Sequence, residues 1–246
     1  MTETSPAPSA APTLLWFRRD LRLSDHPALT AAAEAGPVVP VFVLDPQTEA
    51  LGAAHLLRLG LSLERLAAAL EAKGLRLIVR RGPALETLRA LVAETGARAV
   101  HWSRLHDAAA RARDTEVKAA LTAEGVEAVS HPGHLLFEPW TVATGQGGFY
   151  KVYTPYWRAV SERPVGDPLP VPALSAPSAW PESLSVADLG LAARMDRGAA
   201  VVSARIEAGE AAAQARLTTF VEARLADYAA KRDRPDLAAT SGLSDA

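Results

Sequence analysis

At 246 residues the chain has room for one large domain, or for one domain and part of another. Apolar residues at 49% and charged residues at 22% match ordinary globular usage and exclude wholesale disorder, while 26 basic against 28 acidic side chains exclude the global positive field of a nonspecific nucleic-acid binder. The absence of cysteine removes disulfides, thiolate metal sites and Cys nucleophiles, and fits a reducing, cytoplasmic setting.

Residues 1–12 are rich in Ala, Pro, Ser and Thr, with neither a basic n-region nor an apolar h-region, so they read as a disordered tail and not as a signal peptide. No apolar run approaches the length of a membrane span. From Thr13 short apolar runs alternate with longer amphipathic stretches, the pattern of βαβ units. The predicted strands are 13–17, 38–44, 75–80, 99–102 and 126–130, each apolar enough to be covered on both faces.

The first predicted helix, 27–34, has Asp25 as its cap and Pro27 in its first turn. The second, 56–73, carries Leu57, Leu61, Leu66 and Leu70 at roughly helical spacing and is closed by Gly74. Helices 83–94 and 107–124 stop at Gly96 and Gly125, one step before the next strand. The expected fold class is therefore α/β, a doubly wound, Rossmann-like five-stranded parallel sheet over 13–135.

After His131 the repeat ends. A connection containing Gly145, Gly147 and Gly148 leads to a short helix near 155–161, and Pro164, Pro168, Pro170, Pro172, Pro177 and Pro181 mark an extended linker. Residues 136–186 are thus read as connection and linker. Residues 187–246 read as an incomplete all-α region, with helices at 188–197 and 210–230. The latter places Leu217, Phe220, Val221, Leu225 and Tyr228 on roughly one face, which needs a partner that 231–246 is too short and polar to supply.

Strand 13–17 runs into a basic turn, Arg18-Arg19-Asp20-Leu21-Arg22, with no glycine-rich phosphate loop anywhere in the chain. Arg18, Arg19 and Arg22 could equally pair with Asp20, Asp25 or Asp45 or face a ligand at the sheet's C-terminal edge; spacing does not decide. His101, His106, His131 and His134 lack Cys or carboxylate partners at ligand spacing, so no metal site is expected, and no catalytic residue is assigned. Trp16, Trp102, Trp140, Trp157 and Trp180 read as core and linker packing.

The run from Trp16 to Asp25, followed by Val41-Phe42-Val43-Leu44-Asp45-Pro46, resembles the opening of the DNA photolyase/cryptochrome family. Arg111-Ala112-Arg113-Asp114, Tyr150 through Tyr153-Thr154-Pro155-Tyr156-Trp157, and Thr240-Ser241-Gly242-Leu243-Ser244 resemble the same family in the same order. The resemblance implies an antenna-type α/β domain, followed by a helical domain that binds FAD and receives a pyrimidine dimer flipped out of damaged DNA. Light-driven electron transfer from the flavin then splits the dimer, which makes the family enzymes carbon–carbon lyases. It also implies an aromatic flavin contact at Tyr228, a DNA contact at Arg232, and flavin-diphosphate binding by Thr240, Ser241, Gly242, Leu243 and Ser244.

Folate-binding members have Asn-Glu just before the Arg-x-Arg-Asp stretch. Ala109-Ala110 stands there instead, which argues against folate and leaves a deazaflavin or no antenna pigment. The family continues into an apolar helix after Ser244, so the resemblance implies a truncated chain, inactive alone, through an early stop or frameshift. The alternatives are a stand-alone pigment- or small-molecule-binding α/β module, a cryptochrome-like photoreceptor fragment, or the remnant of a disrupted gene.

Overall fold

The computed structural model describes residues 11–243. The predicted tail therefore falls almost wholly outside the described residues, as does Ser244. The chain forms β1 (Thr13–Phe17), α1 (Pro27–Ala35), β2 (Val38–Leu44), α2 (Pro46–Glu49), α3 (Ala53–Glu71), β3 (Ile78–Arg81), α4 (Ala84–Thr95), β4 (Ala99–Ser103), α5 (Ala108–Ala123) and β5 (Glu127–His131). The five strands are parallel in the order β3-β2-β1-β4-β5, with Thr13 opposite Val38 on one side and Ala99 on the other.

Strand alternation divides the core into two layers. Leu15, Phe17, Phe42 and Leu44 face Leu29 of α1 and Leu63, Leu66 and Leu70 of α3. Their neighbours Leu14, Trp16, Val41 and Val43, with Val100 and Trp102, face Leu88 and Leu91 of α4 and Val117 and Leu121 of α5. The sheet is thus covered on both faces, which is why its strands are continuous apolar runs.

Several boundaries move for identifiable reasons. The cap of α1 is His26, whose Nδ1 accepts from the Leu29 amide, while Asp25 sits one residue outside at φ +46°. In place of the edge strand predicted at 75–80, β3 begins at Ile78, where pairing with Val41 starts. Asp45 caps the short α2, which escaped the sequence reading because a four-residue helix has no periodicity.

Beyond β5 come α6 (Tyr153–Val160), α7 (Arg197–Ser203), α8 (Glu210–Ala223) and α9 (Tyr228–Lys231). The proline-rich segment wraps the sheet: the Leu169 carbonyl accepts from the Asp25 amide while the Leu169 amide donates to the Asp25 carboxylate, Ser175 accepts from the Val38 amide, and Leu184 bridges antiparallel to Val79 of β3. That bridge covers part of an otherwise open strand edge.

Two helices expected after the linker are corrected. Over 188–197 the chain makes two 3-10 turns, Ala187–Leu189 and Ala193–Met195, because Gly190 at φ +62° stops the first. Over 210–230 the helix breaks at Arg224 (φ −130°), which brings the Tyr228 ring edge-on to Phe220 with centroids 5.6 Å apart. In a straight helix residues eight apart are separated by about 12 Å along the axis. Trp140 and Trp157 are exposed, so only Trp16 and Trp102, with the half-buried Trp180, fit the packing expectation.

Candidate functional site

The strand order reverses between β1 and β4, so their C-terminal ends diverge and leave a crevice, the place where open α/β sheets bind ligands. Arg18, the residue after β1, is buried there. Its Nη1 donates to both carboxylate oxygens of Asp114 on α5 at 2.7 Å, and its Nη2 donates to the Ser103 carbonyl at the end of β4. Arg113 donates through Nη2 to Asp114 Oδ1 (2.9 Å) and through Nη1 to Asp45 Oδ2 (2.5 Å) at the end of β2. The other Asp45 oxygen caps α2 at the Thr48 amide, 2.8 Å away.

Two cations and two carboxylates therefore close a balanced network over three strand ends. The Trp16 ring lies beneath it, with the Arg18 and Arg113 guanidinium carbons 4.6 and 4.9 Å from its centroid. Burial pulls the Arg18 pKa down, and Asp114 pulls it back. Of the ion pairs that the sequence allowed, none forms at these arginines: Arg18 takes Asp114, Arg19 lies 3.6 Å from Asp107 in solvent, and Arg22 donates to the carbonyls of Asp25 and Gly133.

Beside the network opens a cavity of about 520 Å³, lined by Trp16, Arg19, His55, Arg58 and Arg113 among others. Ala109 and Ala110 form part of its wall and offer no carboxylate there. A second cavity of about 540 Å³, walled by α8, shares Arg19, Leu21, Arg58 and Ser62 with the first.

On the α1 face lies a set of buried polar groups. His26 Nε2 is 2.9 Å from Asp20 Oδ2, both side chains about 1% exposed, and the amide bond accepted at Nδ1 places the imidazole proton on the nitrogen facing Asp20. Burial raises the Asp20 carboxyl, but the His26 bond and charge, the Ser103 hydroxyl and the Arg18 amide together outweigh it and hold it well below the usual range. His101 Nδ1 and His131 Nε2 lie 2.9 Å apart with their rings stacked. Burial and the neighbouring His101 depress His131 to about 4. Among the described residues no group of three or more ligand-type side chains could hold a metal.

The residues assigned through the family resemblance lie elsewhere. Tyr228 is half-buried against Phe220, with the Arg232 guanidinium carbon 5.8 Å from its ring centroid. Thr240 and Gly242 turn their carbonyls to Arg224 (3.2 Å) and Arg216 (2.7 Å), which folds the 240–243 segment back onto α8. The structure thus gathers Tyr228, Arg232, Thr240, Ser241, Gly242 and Leu243 about α8 and α9. Of these only Leu243 lines any of the five principal cavities.

A family model described as DNA photolyase matches residues 13–175, more than half of the chain. The chain belongs to the DNA photolyase family. It is 40% identical over 237 residues to the deoxyribodipyrimidine photo-lyase of Agrobacterium fabrum, a match that covers 95% of this chain and 50% of that protein. An uncharacterized 31.6 kDa protein of Synechococcus sp. is 35% identical over 95% of this chain and 83% of its own length. The crystal structure of a bacterial class III photolyase from Agrobacterium tumefaciens superposes with a TM-score of 0.91 at 37% identity, covering 99% of this chain and 51% of the photolyase. The chain therefore spans about half the length of the photolyases it matches.

Photolyase-family membership accounts for the motif Arg111-Ala112-Arg113-Asp114, which the sequence reading recorded without a partner: its last two residues are the ones that lock β1 and β2 to α5. Missed altogether was Glu210, whose carboxylate receives the amides of Leu23 and Ser24. Nothing in its spacing marks an acid in a helix's first turn as a partner for a loop nearly two hundred residues away.

Proposed function

We propose that this chain supplies the antenna-side half of a light-driven photolyase, an FAD-dependent lyase that splits pyrimidine dimers in damaged DNA, and that these 246 residues do not carry out repair by themselves. The observation that carries the second part is that Tyr228, Arg232 and the 240–243 segment sit on an open helical surface, with Leu217, Val221 and Leu225 each about half exposed beside them. A flavin site has to enclose its ring, and this surface does not.

In this reading Tyr228 contacts the flavin, Arg232 contacts DNA, and the hydroxyls and amides of Thr240, Ser241, Gly242, Leu243 and Ser244 take the diphosphate. The fit to FAD is that of one edge only, because Thr240, Ser241 and Gly242 line none of the principal cavities and Leu243 alone reaches one. Bound reduced flavin supplies the electron for ring opening. A dimer, already poorly stacked, leaves the duplex at a cost of roughly a few kcal/mol. The compartment proposed is the cytoplasm; no helix among the described residues is long and apolar enough to cross a membrane.

The test is blue-light repair of a dimer-containing oligonucleotide by the purified chain with added FAD. The expected result is no repair above the dark control, and repair would overturn the proposed inactivity. In a chimera, residues 13–243 replace the matching half of the Agrobacterium fabrum photolyase; retained repair is expected, and loss of repair in a folded chimera would count against the family activity.

A second reading is favoured by the cavity at the strand crossover and by the similarly sized Synechococcus relative: a pigment-binding module. A cavity of this size with apolar walls at Leu21, Phe42, Leu51 and Leu105 and with Arg19 in its lining suits a planar ring with an anionic substituent, such as a deazaflavin. Folate is disfavoured, since Ala109-Ala110 stands where folate-binding members have Asn-Glu, and the carboxylates in the wall, Asp45 and Asp107, lie against Arg113 and Arg19. The purified chain should then retain a near-ultraviolet chromophore or take up added deazaflavin, and failure of both would end this reading.

A further inference from the structure

Helix α8 fully buries none of its side chains, so apolar burial contributes little to holding it in place. What meets the α/β layer is a carboxylate. Glu210 Oε2 accepts the Leu23 amide at 2.7 Å, and its Oε1 accepts the Ser24 amide at 3.0 Å and the Ser24 hydroxyl. Gln214, one turn on, places Nε2 3.3 Å from the same oxygen. Two successive amides aimed at one anion form a small nest, and bonds to a charged acceptor are about twice as strong as neutral ones.

The receiving loop is shaped without help from α8. The Arg22 amide donates to the Asp20 carbonyl (2.7 Å), the Arg22 guanidinium donates to the Asp25 carbonyl (2.7 Å), and the Asp25 amide donates to Leu169 (2.8 Å). Asp25 holds φ +46°, and the buried His26 pins the far end to Asp20. The Leu23 and Ser24 amides are therefore set before the helix arrives. Gly209, at φ +104°, lets the helix start lie against α3 so closely that a Cβ there would meet the Arg65 Cβ at 2.8 Å.

Seated this way, Ala213, Gln214 and Leu217 wall a cavity whose opposite side, Arg19, Leu21, Arg58 and Ser62, is shared with the cavity at the strand crossover. We infer that Glu210 is a latch: its carboxylate in the Leu23–Ser24 nest holds α8 as a movable wall, and its release opens the sheet-edge cavity towards solvent. The inference goes beyond the proposed function and concerns only how the wall is held, whether or not a pigment or flavin is bound.

Amide exchange of the full chain and of Glu210→Gln, followed by mass spectrometry, tests the hold. Loss of one charge-assisted contact should speed exchange over 211–223 by about tenfold or more, with β1, β2 and β4 unchanged. Unchanged α8 exchange overturns the latch. Acceleration of the strands to the same degree overturns it too, since Glu210 would then be a general stabilising contact.

The opening is read separately. Because the chain has no cysteine, Ser62→Cys provides a single thiol in the shared wall. Its labelling by a water-soluble disulfide reagent should accelerate by about tenfold or more in the Glu210→Gln background and stay near the Ser62→Cys rate when Glu222→Gln, an exposed position of α8 away from the cavity, is added instead. An unchanged labelling rate with a loosened helix would show that α8 moves without gating the cavity, and would overturn that half of the inference.

Discussion

The α/β layer and the region after the linker are built from similar sequence material and end in opposite conditions. In the layer, α1, α3, α4 and α5 each place at least three side chains in the buried core, and β1, β2 and β4 bury every residue. In the later region α7, α8 and α9 bury none. Amphipathic spacing is thus a request for a partner, and only the first region contains the answer. The second seats only Leu189 and Leu191 in the core of the layer, and its helices are held by polar contacts at a few points, Glu210 at the nest and Arg216 and Arg224 at the 240–243 segment.

The contrast breaks first at the ion pairs. Asp114→Ala would strand the buried Arg18 charge and should cost about 3–5 kcal/mol in urea unfolding, whereas removing Asp227, which pairs with Lys231 one turn away in solvent, should cost about 0.3–0.5 kcal/mol. Comparable losses from the two would mean that the later region is as well packed as the layer. Next come the leucines. Leu63→Ala, in the core between α3 and the sheet, should cost about 2–5 kcal/mol, and Leu217→Ala, on the exposed face of α8, should stay within about 0.5 kcal/mol.

The same contrast governs what could be read from sequence. Strands β1 and β2 were legible to the residue because a strand covered on both faces is a continuous apolar run. Edge strands β3 and β5 shifted by one to three residues, since at an edge pairing and not composition sets the start. Periodicity over 210–230 suggested one helix, yet it carries no information about whether a partner is present, and nothing in it marks the break at Arg224. The photolyase motifs located Arg113 and Asp114. Their pairing with Arg18 and Asp45 depends on the strand order, which brings residues about 70 to 100 positions apart to one edge.

A smaller effect lies in pH. In the unfolded chain His131 takes its proton near its ordinary value of 6.5, but in the fold it resists until about 4, so between these values the unfolded state binds more protons. Stability should therefore decline as pH falls through that window, with His101, also depressed by burial, adding to the slope. Asp20 acts lower down: its depressed carboxyl contributes above the ordinary carboxylate range and yields only in stronger acid. In His131→Gln the decline between pH 6.5 and about 4 should flatten. An unaltered slope would remove the His101–His131 pair from the account and leave acid sensitivity to the carboxylates.

The smallest predicted change has the opposite sign and probes whether the two regions unfold together. Asp196, exposed between the second 3-10 turn and α7, holds φ +46° and ψ −132°, a conformation that an L side chain adopts only under strain. Asp196→Gly removes a Cβ that makes the conformation costly and should be stabilising by about 1 kcal/mol locally. If the later region unfolds cooperatively with the layer, the gain will appear in the global urea midpoint. If α7 and α8 open on their own, as their lack of buried side chains implies, amide exchange will slow near 197–203 while the global midpoint stays in place. The second outcome is expected, because a gain confined to a unit that opens below the global transition does not reach the transition itself.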